Sequence, residues 1–191
     1  MRLKNAWSLC GLLLCLVTFG VSLASVGGSS AFYLSHGGQN VSVYKGFVLY
    51  NIGIADALPV ELPSDEAEHM VDVRRVVERI GMLALLSLLG VVLLWKGLDE
   101  WGRKLSLIVA GVLGLATSVF LLLAAYMSFN VFFTVFHELF FSAGSWQFGP
   151  DSVLLALYPQ QYWIAFFLGI LGRWVVLSIL MLLIGSTGRD P

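Results

Sequence analysis

Charge is scarce in this sequence: Asp, Glu, Lys and Arg make up only 12% of 191 residues, and the net charge is −1. Without a basic field there is no electrostatic footprint for nucleic acid. Cysteine is scarcer still, and both copies, Cys10 and Cys15, fall inside the first apolar run. There they act as small apolar side chains, not as a disulfide framework or a metal knuckle. Internal repeats and low-complexity tracts are also absent. Apolar surface is what the chain has in excess, with 58% hydrophobic residues and a mean hydropathy of +0.86. That is more than a soluble domain needs to fill its core, so the natural solvent is a bilayer.

Four apolar runs approach or exceed the ~20 residues that cross a hydrocarbon core about 30 Å thick. They occupy residues 7–26, 76–95, 105–126 and 162–186. The first has Arg2 and Lys4 before it and small residues after it, as a signal peptide would. Its length favours a retained span. Lys and Arg resist translocation, so Arg2, Lys4, Lys96, Arg103, Lys104 and Arg189 place both termini and the turn between spans 2 and 3 on the cytoplasmic side. Residues 127–161 carry no Lys or Arg, and residues 27–75 are long enough to escape the rule. Both belong outside. The fold class read this way is membrane all-α, a single membrane domain over residues 1–191, with four transmembrane helices under a small extracellular α+β cap.

Within the cap, residues 41–50 are rich in β-branched and aromatic side chains after a Gly37-Gly38 turn, which predicts one or two short strands. Ser64 and Asp65 are N-cap candidates, and Asp65 with Glu68 resembles a capping box. A helix starts there and, with no Gly or Pro before Gly81, runs unbroken into span 2. Span 3 is expected to continue as helix through the aromatic run Phe129, Phe132, Phe133, Phe136, Phe140 and Phe141, ending at Gly144 and Ser145. Residues 146–150 then read as a loop at headgroup depth, and residues 153–158 as a helical turn or two on the interface.

Two histidines stand out. His69 and Asp72 are three apart and share a helix face, so the carboxylate can hold one ring nitrogen and leave the other for proton transfer. The alternative is a solvated first turn in which acidic residues favour the macrodipole. His137 and Glu138 sit among phenylalanines, where an ionisable group is costly to desolvate and a histidine is kept neutral. The alternative there is a headgroup-level histidine bonding to water or phosphate. Measured along the chain from Lys96 and Lys104, both imidazoles lie some 40–50 Å out, beyond a core of about 30 Å. They share the outer rim.

A zinc site built on the same residues lacks the second histidine of a His-Glu-x-x-His helix after His137. Ser142, Ser145 and Ser152 sit in no Gly-x-Ser-x-Gly elbow. His36, among Ser and Gly, reads as inert. Arg173, halfway along span 4, costs at least ~2.5 kcal/mol at mid-membrane and should face protein, a carbonyl, a carboxylate or a lipid phosphate.

Taken together, His69-Met70-x-Asp72-Val73 before span 2, Phe136-His137-x-x-Phe140-Phe141 and Trp146-x-Phe148-x-Pro150 after span 3, and Leu157-Tyr158-Pro159 resemble the lipoprotein intramolecular transacylases (Lit) over nearly the whole chain. The resemblance implies four transmembrane helices under an extracellular cap, in a multi-pass plasma-membrane protein. His69 and His137 would be the catalytic pair, with neither cofactor nor metal. The implied reaction moves the sn-2 acyl chain of a diacylated lipoprotein onto the amino group of its N-terminal cysteine. Its partners would be that lipoprotein N-terminus and membrane lipid. Asp72, Glu138, Phe133, Phe140, Phe141, Trp146, Phe148 and Arg173 are the supporting or substrate-binding candidates. A non-catalytic membrane subunit that docks a partner and a zinc-dependent membrane hydrolase are the alternatives.

Overall fold

A computed structural model describes residues 5–142 and 144–187. The described residues fold into α1 (Ala6–Gly27), α2 (Ser30–Ser35), α3 (Val41–Asn51), α4 (Ser64–Trp95), α5 (Glu100–Met127), α6 (Phe129–Phe140), α7 (Val153–Leu157) and α8 (Gln160–Ser186). Four of them, α1, α4, α5 and α8, are long and apolar enough to cross a membrane, and the chain is a multi-pass membrane protein. All four apolar runs lie within these helices. Arg2, Lys4 and Arg189 fall outside the described residues.

Two expectations are corrected. No strand forms among the described residues, so the cap is helical, not α+β. Residues 41–50 lie in α3, whose N-cap Asn40 accepts a hydrogen bond from the Val43 amide at 3.1 Å. β-propensity reflects the surface a residue packs on more than its backbone. Here Tyr44, Phe47 and Tyr50 recur at helical spacing and all three are buried, so packing decides for helix. The second correction lies at Ser128, which breaks the helix expected to continue past span 3. Its backbone is extended (φ −166°, ψ 108°), and its hydroxyl accepts from the Val131 amide to start α6 anew.

The chain divides into two compact units. The first takes its described residues from Met1–Leu23, Met82–Leu122 and Ile170–Pro191. Its helices meet through small residues, as helices do in lipid, where apolar side chains gain little by association. A Cβ on Gly111 would come within 2.7 Å of the Ser178 carbonyl oxygen, and one on Gly11 within 2.8 Å of the Ser106 carbonyl oxygen. Ser106 Oγ donates to the carbonyls of Gly102 (2.8 Å) and Trp7 (3.0 Å), and Trp174 Nε1 donates to Thr18 Oγ1 at 3.2 Å. Asp99 caps α5 by accepting from the Gly102 amide at 2.8 Å, which closes the short turn after α4.

The second unit, Ala24–Gly81 with Leu123–Gly169, is held by rings. Tyr33, Tyr44 and Tyr162 form one buried cluster; Phe47, Tyr50, Met70 and Leu154 form another. Tyr44 donates to the Gly27 carbonyl at 2.6 Å and Tyr33 to the Leu157 carbonyl at 3.2 Å. Arg74 donates to the Ala55 carbonyl at 3.1 Å, pairs with Glu78 at 2.8 Å and lies 5.1 Å over the Tyr50 ring. Arg74 therefore ties α4 to the loop before it and to α3. At the far end of that loop, α4 starts with Asp65 and Glu66 in its first turn, where negative charge suits the helix dipole.

Candidate functional site

His69 stands in the second turn of α4 and His137 in the last turn of α6, and the second unit brings them face to face. Their ring centroids are 6.2 Å apart with planes inclined by 23°. Phe129 and Phe132 of α6 pack on Phe167, and Gln160 donates to Asn130 at 2.7 Å, which sets the helix that carries His137. On the other side, Met70 is buried beside Phe47 and Leu154 and holds the face of α4 that presents His69.

The two rings have different surroundings. His69 is 7% exposed and packs on Phe141 (4.8 Å) and Phe148 (5.4 Å), and its buried Nδ1 has no hydrogen-bond partner. Burial, then the neighbouring His137, push its pKa down to about 4, while Asp72 pulls the other way. His137 is half-buried against Phe133 (4.0 Å), Trp146 (4.8 Å) and Phe141 (5.2 Å). Burial lowers its pKa too, opposed by the hydrogen bond to Phe133. That bond joins His137 Nδ1 to the Phe133 carbonyl oxygen at 2.7 Å. A carbonyl can only accept, so Nδ1 carries the proton and Nε2 of the neutral ring keeps its lone pair.

The other sequence candidates separate into those at the pair and those away from it. Phe133, Phe141, Trp146 and Phe148 line it. Phe140 packs on Phe136 at 4.9 Å and is half exposed, and Glu138 is exposed. Asp72 does not hold the imidazole; it accepts from Arg75 at 2.8 Å. With Glu68, Val71, Arg75 and Ser142 it lines an open cleft of about 350 Å³. Arg173 is exposed on α8 within the first unit. His36 caps the end of α2 and its Nδ1 lies 2.8 Å from the Phe32 carbonyl oxygen. Among the described residues no three His, Cys, Asp or Glu side chains gather as a metal site would require.

Glu66 was not singled out in the sequence. It is 3% exposed, and its two carboxylate oxygens accept from the amides of Val153 (3.1 Å) and Leu154 (2.8 Å) at the start of α7. Nothing local signals this role, because the partners lie 87 and 88 residues away.

A family model described as lipoprotein intramolecular transacylase Lit matches residues 42–163. An uncharacterized protein of Aquifex aeolicus (strain VF5) is 28% identical over 130 residues, which is 65% of this chain and 56% of that protein. The chain thus spans a little over half the length of that relative. Among solved structures, Lit from Bacillus cereus superposes with a TM-score of 0.80 at 18% identity, covering 95% of this chain and 93% of that one. A form of the same protein with a histidine replaced by alanine gives 0.74 at 19%, covering 95% and 91%. At these identities the likeness is one of fold.

Proposed function

The chain belongs to the lipoprotein intramolecular transacylase family, Lit, and from that premise we propose that it moves the sn-2 acyl chain of a diacylglyceryl-modified lipoprotein onto the amino group of the same molecule's N-terminal cysteine. The observation that carries this reading is the stacked pair His69 and His137, 6.2 Å apart in a wall of rings. Burial favours the uncharged form of both. Aminolysis of an ester needs that state, because the nitrogen must lose protons while the departing glyceryl oxygen gains one.

The differences between the rings support distinct roles. His137, with Nδ1–H tied to Phe133, offers Nε2 as the base. His69 binds a proton weakly, so once loaded it is the stronger acid. His69 takes the first proton from the substrate ammonium, and the nitrogen attacks the ester carbonyl carbon. His137 removes the second proton from nitrogen as the carbon–oxygen bond to glycerol breaks, and His69 returns its proton to the leaving oxygen. The products are an amide, a free glyceryl hydroxyl and one proton passed from His137 to water. Joining donor and acceptor in one molecule replaces a bimolecular encounter with a positioned one. Phe133, Phe141, Trp146 and Phe148 hold acyl chain and keep out water, the competing nucleophile.

We place this site on the outer side of the plasma membrane, with both termini cytoplasmic. In support, Lys96, Arg103 and Lys104 gather at the α4–α5 turn, whereas residues 127–161 lack Lys and Arg. His69 in the second turn of α4 (Ser64–Trp95) lies about 40 Å along the helix from Lys96 at its other end, beyond a core of about 30 Å.

Expression in a bacterium whose lipoproteins are diacylated, followed by mass spectrometry of their N-terminal lipopeptides, tests the reaction. An N-acylated cysteine on a monoacyl glyceryl group is the expected product. A glyceryl group still diacylated beside a free amine, with the protein present in the membrane, would overturn the reading.

A further inference from the structure

Trp146 Nε1 is buried and has no hydrogen-bond partner. An indole nitrogen can only donate, and folded proteins seldom leave a buried donor unmatched unless something else fills the position. Its ring lies 4.8 Å from His137 and 6.3 Å from Phe133, at the working face of the candidate site. The segment that presents it is fixed by backbone bonds from Ser145 N to Ser142 O (3.1 Å) and from Gln147 N to Gly144 O (3.2 Å), with Gly144 at φ +80°.

The chemistry proposed above lacks one component. When the amine attacks the ester carbonyl, the carbonyl electron pair moves to oxygen, and that oxyanion needs a donor already in place. Both imidazoles are occupied with the protons of nitrogen and glyceryl oxygen. The phenylalanines have no polar hydrogen to offer. Arg74 and Arg75 are engaged by Glu78 and Asp72. Resting on that reaction, we propose that the Trp146 indole N–H donates to the carbonyl oxygen of the sn-2 ester and holds its negative charge in the tetrahedral intermediate. The nitrogen–carbon bond forms as the pair goes to oxygen, and its return expels the glyceryl oxygen.

A synthetic diacylglyceryl lipopeptide with a free N-terminal cysteine, presented to the purified protein in detergent micelles, supplies the assay. Trp146→Phe keeps an aromatic ring but removes the donor. The expected result is a kcat lower by about 10²–10³-fold, a far larger change than in KM, where the smaller ring loses only part of its contact with the acyl chain. A kcat within about threefold of wild type overturns the proposal. If Trp146→Phe also melts early, a benzothienylalanine at position 146 keeps the two-ring shape without the N–H. Retained kcat in that variant overturns the proposal, and a lost kcat with normal melting supports it. Absence of any lyso product from the wild-type protein in this assay would sink the reaction itself; an active wild type with an equally active variant sinks only the role of Trp146.

Discussion

In the first unit the buried polar residues include Ser22, Ser106, Ser118 and Ser178, and the closest approaches run through Gly11 and Gly111. In the second, Tyr33, Tyr44, Phe47, Glu66 and His69 are buried, and all three histidines of the chain belong there. The first unit brings backbones together and answers its hydroxyls mostly along their own helices, as Ser178 does to the Trp174 carbonyl at 2.7 Å. The second separates its backbones with rings; among the described residues it leaves Asn51 Oδ1, His69 Nδ1 and Trp146 Nε1 unanswered, against Ser118 Oγ alone in the first. Small residues bring helix backbones into contact, whereas rings leave spaces where an imidazole can stay neutral. Capacity for chemistry follows the second kind of packing.

The sharpest test of that contrast is loss of either imidazole. His137→Gln or His69→Gln should lower transacylation by about 10²–10⁴-fold while the melting temperature in detergent stays near wild type; lipopeptide mass spectrometry and a thermal scan read the two effects. Activity surviving both changes would make the second unit as inert as the first. Next comes Glu66→Ala, which leaves the Val153 and Leu154 amides without their acceptor. Stability should fall by about 1–3 kcal/mol for each orphaned amide, and hydrogen exchange should quicken at residues 153–157.

Gly111→Leu probes the first unit. The added side chain meets the Ser178 backbone and Leu182, so denaturation in detergent should show a loss of about 1–3 kcal/mol. Turnover per folded molecule should not change. A stable Gly111→Leu protein would mean that close backbone approach is not what holds that unit.

The smallest effect is the pH dependence of stability. His69 has a pKa of about 4 in the folded chain against an ordinary 6.5, so its contribution is complete above 6.5 and is lost as pH falls towards 4, where the unfolded chain binds the proton first. The loss is about 1 kcal/mol at roughly pH 5.5. His69→Gln should flatten this part of a melting-temperature profile between pH 6.5 and 4. Activity falls only at lower pH, because both imidazoles must start neutral and burial holds their folded pKa values below the ordinary 6.5.

Legibility in the sequence followed the range of the interaction. Apolar runs long enough to cross a membrane exposed α1, α4, α5 and α8, since length and hydropathy are local quantities. The uninterrupted stretch from Ser64 exposed α4 as a single helix. Residues 41–50 misled because β-branched and aromatic side chains suit either a strand or a buried helix stripe, and only the packing of Tyr44, Phe47 and Tyr50 chose between them. Ser128 looked unremarkable inside an apolar pattern. Asp72 shares a face with His69 but lies within reach of Arg75 as well, and the charged partner won.

By itself the sequence determined that this chain lives in a membrane and that four of its apolar runs are long enough to cross one. Each of those depends on counting along the chain. Tertiary structure alone decided that His69 and His137 stack, that Glu66 clasps α7, and that Trp146 keeps an unspent donor. Those outcomes depend on residues tens of positions apart, and on which polar atoms are left without water once rings close around them.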